Sequence, residues 1–98
     1  MIPYAFHPEA AAEFEEVSAF YELRMVGLGK SFAVEVERTV THVREFPGAG
    51  SPSGMSIRRA LIPRFPYSLF YRIVGDAVQV IAVSHHRQRP GYWRHRTE

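Results

Sequence analysis

Apolar residues recur at helical spacing through the first half of the chain. Phe14, Val17 and Tyr21 lie three and four positions apart, which predicts a helix with one face packed on a core. His7-Pro8-Glu9 favours a helix start, because proline suits the first helical position and acidic residues suit the first turn. A second apolar stripe has the same spacing: Phe32, Val36, Val40 and Val43.

These two stripes predict a helical hairpin. We expect the first helix to end between Arg24 and Gly27, and Gly27 and Gly29 to form the break before the second helix. Pro47 and Gly48 end the second helix. The turn between the helices is therefore short, and the two helices are neighbours.

The pattern changes to strand alternation after residue 56. Apolar positions alternate in residues 67–73 and are continuous in 78–84, which predicts two strands, the second of them central and apolar on both faces. Gly75-Asp76 between them favours a tight hairpin. Residues 56–62 predict a third strand and residues 2–6 a short opening strand, while 47–56 have no apolar periodicity and indicate a flexible connector.

The order of elements predicts one α+β domain spanning residues 1–98. It contains an N-terminal strand, a helical hairpin and then a three-stranded antiparallel sheet, followed by a short basic C-terminal tail. We expect the hairpin to cover one face of the sheet. The opposite face would be open, and the tail would have one helical turn around Tyr92 and Trp93.

Composition narrows the classes of function. The chain has 46% hydrophobic and 22% charged residues and no cysteine, which predicts a globular protein without disulfides. No signal peptide and no membrane-length apolar segment is present, so we expect a cytoplasmic protein with no membrane association. We expect no cofactor and no metal, because His85, His86 and His95 lack partner ligands at metal-binding spacing.

Charge is divided unevenly between the two halves. Residues 1–55 hold eight glutamates against four basic residues, a net charge of −4. Residues 56–98 hold eight arginines against Asp76 and Glu98, a net charge of +6. The C-terminal half therefore predicts a basic surface for an acidic partner.

Several segments together resemble the RelE/ParE family of type II toxins, also known as plasmid stabilisation proteins. These segments are Arg59-Ala60-Leu61, Phe65-Pro66-Tyr67-Ser68-Leu69-Phe70-Tyr71-Arg72-Ile73, and Ile81-Ala82-Val83-Ser84-His85-His86-Arg87-Gln88-Arg89-Pro90-Gly91-Tyr92-Trp93. The helical hairpin that ends at Phe46-Pro47-Gly48 is similar to the family's first half, so the resemblance covers nearly the whole chain.

The resemblance implies a growth-inhibiting toxin that is neutralised by a small cognate antitoxin. The acidic or amphipathic tail of the antitoxin would wrap the toxin. The toxin would form a dimer, or a heterotetramer with the antitoxin. RelE-like members cleave messenger RNA on the ribosome, and ParE-like members inhibit DNA gyrase. Ser68 stands where ribonuclease members often carry an arginine, and the ending His-Arg-x-Arg-Pro-x-Tyr-Trp is closer to ParE. The favoured target is gyrase; the alternative is a metal-independent, ribosome-dependent endoribonuclease.

If the chain cleaves RNA, the candidate catalytic residues are His86, Arg87 and Tyr92. Cleavage needs a base for the 2′-hydroxyl, a proton donor for the leaving oxygen and a cation on the phosphate. Neighbouring residues on a strand point to opposite faces, so only one of His85 and His86 can join a given site. A further possibility is an inactive member kept as a DNA-binding co-repressor scaffold.

The candidate binding residues are the C-terminal arginines and two aromatics on the face away from the helices: Arg58, Arg59, Arg64, Phe70, Arg72, Arg87, Arg89, Trp93 and Arg94. Arginine and tryptophan are frequent interface anchors. Trp93 could instead fold back onto the core. Tyr67 and Tyr71 could stack on bases, but their position on the alternating apolar face favours packing against the helices.

Overall fold

The computed structural model describes residues 1–97 and contains one five-stranded mixed sheet with two helices on one face. The strands are β1 (Tyr4–Phe6), β2 (Ser51–Pro52), β3 (Arg58–Ile62), β4 (Tyr67–Val74) and β5 (Ala77–His85), in the spatial order β1-β5-β4-β3-β2. The helices are α1 (Pro8–Arg24) and α2 (Leu28–Glu45), and a 3₁₀ turn spans Arg94–Thr97.

Local sequence explains how the hairpin begins and turns. The His7 ring accepts a hydrogen bond from the Glu9 amide at 3.1 Å, with Pro8 at the first position of α1. Gly27 takes a left-handed conformation before α2, with φ of 89°, which glycine adopts without strain. The Glu22 carboxylate accepts hydrogen bonds from the amides of Gly27 and Gly29 at 2.8 and 3.1 Å and fastens the turn.

The first core lies between the helical hairpin and the sheet. Phe32, Val36, Val40 and Val43 of α2 are buried there, as predicted, and Phe14, Val17 and Tyr21 of α1 pack at its margin. Tyr71 is fully buried in this core, and its hydroxyl donates to the Pro47 carbonyl at 2.8 Å. The predicted packing role of Tyr71 is therefore confirmed.

Strand β5 has apolar residues on both faces and contains a β-bulge. Phe70 pairs with Ala82 and Tyr71 with Val80, so Ile81 is the extra residue. Val80 and Val83 face the helices, whereas Ile81 and Ala82 face the other side. The prediction of a central strand with two apolar faces is confirmed, and the bulge supplies the change of face.

The sheet has five strands, two more than the predicted three-stranded antiparallel sheet. The three C-terminal strands do pair antiparallel, but β1 adds to β5 in parallel and β2 adds to β3. Pro3 lies just outside β1 and accepts a hydrogen bond from the Val78 amide with its carbonyl. The segment 47–56 is therefore not wholly a flexible connector, because β2 lies within it.

The predicted open face of the sheet was also wrong. Residues 86–97, here called the C-terminal tail, pack across it and form a second core of Ile57, Ile81, Ala82 and Trp93, with Phe70 and Tyr92 at its edge. The helical turn is a 3₁₀ turn that begins at Arg94, just after the expected position. Burial of the apolar second face of β5 accounts for this packing.

Neither helix in residues 1–97 has the length and hydropathy needed to cross a membrane.

Close contact between the helices at Gly29 gives a stability prediction. A Cβ atom at Gly29 would lie 2.9 Å from the Glu22 Cβ and closer still to the Ser18 carbonyl oxygen. Gly29→Ala should lower the free energy of unfolding by about 1–3 kcal/mol, since overpacking outweighs the gain in helix propensity. Gly48→Ala is the matched control, because a Cβ there meets open space. Urea unfolding compares the two, and equal stabilities would contradict the close contact.

Candidate functional site

A cleft opens where the C-terminal tail crosses the second face of the sheet. Its volume is about 290 Å³, and its walls come from β3, β4, the end of β5 and the tail. This volume is at the lower end of the roughly 300–1,000 Å³ of small-molecule pockets. It suits contact with a few groups of a partner better than enclosure of a cofactor. The lining includes Arg59, Ser68, Phe70, Ser84, His86, Arg89, Gly91, Trp93 and Arg94.

A chain of three side chains fixes the floor of the cleft. The Arg59 Nε donates to the Ser68 Oγ at 2.9 Å, and the same oxygen lies 2.9 Å from the His86 Nε2. Ser68 is 1% exposed, so its hydroxyl is held in one place by burial. When the His86 Nε2 is unprotonated, Ser68 accepts from Arg59 and donates to His86. The guanidinium of Arg59 is thereby oriented before any partner arrives.

Three of the predicted binding arginines meet at this cleft. Arg59, Arg89 and Arg94 all line it. Gly91 has φ of 73°, and a Cβ at this position would lie 2.8 Å from the Arg94 Cζ, so glycine permits the close approach of the Arg94 guanidinium. Among residues 1–97, none of the ion pairs involves these three arginines. No carboxylate of the described residues therefore forms an ion pair with these three arginines.

The other predicted binding arginines are distributed elsewhere. Arg58 donates to the Gly50 carbonyl at 2.7 Å, and Arg64 lies 3.8 Å from the Glu35 carboxylate. Arg72 shares the sheet face of Phe70 but is directed to Gln79 and the Thr97 carbonyl. Arg87 is exposed just after β5, outside the lining of the cleft. The structure therefore gathers a subset of the predicted basic surface.

The predicted aromatic anchors are largely enclosed. Trp93 is only 4% exposed and its ring lies 4.9 Å from that of Phe70, centroid to centroid. The structure thus places Trp93 in the second core, in line with the packing alternative. Tyr67 packs against Phe32 in the first core, and the ring of His85 lies against Tyr67. The rings of His85 and His86 therefore contact different partners, Tyr67 and Ser68, although both residues line the cleft.

Tyr92 is not brought together with His86. Its hydroxyl donates to the Glu13 Oε2 at 2.6 Å, and it is outside the lining of the cleft. Burial, together with the hydrogen bond to Glu13 and the charge of that carboxylate, raises the pKa of Tyr92 well above its ordinary value. A phenol held in this way is a poor proton donor at neutral pH. The candidate catalytic set His86, Arg87 and Tyr92 does not form one constellation here.

Comparison with known families then places the chain. The profile described as "ParE toxin of type II toxin-antitoxin system, parDE" matches residues 4–90. The chain belongs to the ParE toxin family. A solved structure titled "Chromosomal ParDE TA system from P. aeruginosa" has a similar fold, with a TM-score of 0.72 at 22% identity, covering 87% of this chain and 96% of that one. No match was found among curated proteins.

Some residues of this ParE-family site were missed from the sequence. Ser68 was considered only as the loss of an arginine, although it orients Arg59. Glu13 and Arg96 were counted only in the net charges of the two halves, yet they form an ion pair in which the Arg96 side chain is buried. A signal existed for Ser68, because a small polar residue alternates with Phe70 on the face away from the helices. No local pattern links Glu13 to Arg96, which are 83 positions apart.

The environment of Tyr92 predicts a change of stability at alkaline pH. A raised pKa in the folded state means that this contribution to stability is present below about pH 10 and is lost as the pH rises toward the raised value. Tyr92→Phe should remove the part of the fall in the free energy of unfolding at alkaline pH that comes from ionisation of Tyr92. Urea unfolding of both proteins between about pH 8 and pH 11 measures it. Parallel stability curves for the two proteins would show that Tyr92 titrates normally.

Proposed function

We propose that this ParE-family toxin inhibits DNA gyrase by binding it through the basic cleft. The observation that carries the proposal is the convergence of Arg59, Arg89 and Arg94 on one concave surface, with no ion-pair partner for them within residues 1–97. Arginines that are oriented in advance lose less freedom on binding an acidic surface. Family membership supports the toxin role, and the charge of the cleft supports an acidic target.

The arrangement favours binding over RNA cleavage. A ribonuclease requires a general base and a general acid on opposite sides of the phosphate. His86 is in the cleft, but the hydroxyl of Tyr92 is bonded to Glu13 outside it. Ser68 also stands where an arginine would add charge to the phosphate site. The proposed binding to gyrase uses the basic surface and needs no pair of catalytic groups.

One observation keeps RNA cleavage as the second candidate. His86, Ser68 and Arg59 form a continuous hydrogen-bonded chain that opens on the cleft. A histidine beside an arginine can supply a base and a phosphate contact. This alternative predicts ribosome-dependent cuts in messenger RNA that disappear in a His86→Ala variant.

The proposal includes a protein partner in the cytoplasm. Members of type II systems are paired with an antitoxin, and an acidic segment of that antitoxin would find its complement in the same basic cleft. A disordered acidic segment can fold as it binds. The complex would then be a heterodimer or a heterotetramer, and induction of the toxin without the antitoxin would stop growth.

The test uses the purified chain in a gyrase supercoiling assay. Arg59→Gln/Arg94→Gln should weaken inhibition by about 100-fold or more, because two oriented charges are lost at the contact. Arg38→Gln is the matched control, since Arg38 lies on α2 with its side chain 74% exposed and should inhibit like the unaltered chain.

The ribonuclease alternative is tested in cells. Messenger RNA is mapped by primer extension after the toxin is induced, and supercoiling is followed in the same cells. Intact messenger RNA together with arrested supercoiling supports the gyrase proposal. Ribosome-dependent cuts with unaffected supercoiling would overturn it.

A further inference from the structure

An ionic cluster centred on the buried Arg96 joins the start of α1 to the C-terminal tail. The Arg96 guanidinium donates to both oxygens of Glu13, at 2.8 and 3.0 Å, and to Glu9 at 2.9 Å. Its side chain is 6% exposed. The Glu9 carboxylate also lies 2.9 Å from the His95 Nε2, and hydrogen bonding to His95 together with the charges of His95 and Arg96 lowers the pKa of Glu9. Bidentate pairing of this kind fixes orientation as well as distance.

The same cluster is fastened to the bulge of β5. The Val83 amide donates to the Glu13 Oε1 at 3.0 Å, and the Arg96 guanidinium donates to the Ile81 carbonyl at 3.0 Å. The Tyr92 hydroxyl donates to the other oxygen of Glu13. Three separate parts of the chain therefore meet at one carboxylate: α1, the bulged strand and the C-terminal tail.

The ion pair between Glu13 and Arg96 anchors the tail segment that forms one wall of the cleft. Between His86 and His95, the only buried residue is Trp93. Arg89, Gly91 and Arg94 therefore have little burial of their own to hold them. This part of the tail is held by the packing of Trp93 against Phe70 and by two bonds to Glu13, one from the Tyr92 hydroxyl and one from Arg96. The bond from Arg96 lies just after Arg94 in the sequence.

We propose that Glu13 and Arg96 are positioning residues of the basic cleft. They hold the tail so that Arg89 and Arg94 face Arg59, and neither residue lines the cleft. A buried ion pair seldom stabilises a fold more than well-packed apolar residues would, because removing both charges from water is costly. Its contribution here is therefore geometric, in that it selects one placement of the tail. This inference rests on the proposed function of the cleft.

The test uses the single tryptophan of the chain as a reporter of the tail. Arg96→Ala leaves the Glu9 and Glu13 carboxylates without their arginine partner and could unfold the protein. The second variant is therefore Glu13→Gln/Arg96→Gln, which removes both charges of the central pair and leaves Glu9 its contact with His95. Trp93 emission and acrylamide quenching report the tail, while far-UV circular dichroism reports the fold. Arg38→Ala is the control, because it removes an exposed guanidinium from α2, outside the lining of the cleft.

In the double variant, Trp93 should be quenched more readily with the helical signal unchanged, and inhibition of gyrase should fall about tenfold at a temperature where the protein is fully folded. Arg96→Lys retains the positive charge but not the bidentate geometry. Its loss of gyrase inhibition should lie between those of the unaltered chain and the double variant. Unchanged inhibition per folded molecule, or unchanged quenching of Trp93, would overturn the positioning role.

The two proposals fail in different ways. If the unaltered chain does not inhibit gyrase, the proposed function is wrong, and the quenching of Trp93 together with growth arrest in cells still tests the role of Glu13 and Arg96. If the unaltered chain inhibits gyrase and the double variant inhibits equally, only the positioning role is wrong.

Discussion

The structure depends on covering both faces of β5. Val80 and Val83 need the helical hairpin on one side, and Ile81 and Ala82 need apolar cover on the other. Because of the bulge at Ile81, residues 80–83 present two apolar side chains to each face. Both faces need cover, since apolar burial is the main favourable contribution to folding. The helices satisfy the first face. The C-terminal tail satisfies the second, and the cleft forms along its path.

Charge then has two separate uses in this molecule. Glu9 and Glu13 pair with Arg96, and Glu35 lies near Arg64, so part of the acidic first half neutralises the basic second half internally. The arginines of the cleft take no part in the ion pairs of residues 1–97, and under the proposed function they are the charges that meet the target. The distinction between these two groups is one of position in the fold, because arginine has the same side chain in both.

Patterns of short range predicted most of the fold. The helical stripe from Phe32 to Val43 and the alternation after Tyr67 identified the hairpin and two of the strands, because periodicity directly reflects which face is buried. The parallel pairing of β1, the short β2 and the folded tail were missed, since each depends on contacts far apart in the chain. In the site, the grouping of Arg59 with Arg94 followed the predicted basic surface. The pairing of Arg96 with Glu13 had no local signal.

The central claim is that the folded tail presents a basic cleft to the target, and hydrogen exchange of the chain with and without gyrase tests it most directly. Backbone amides in residues 84–94 are predicted to gain protection on binding, because most of these residues line the cleft. Protection confined to α1 and α2, with the exchange of the tail unchanged, would contradict the account.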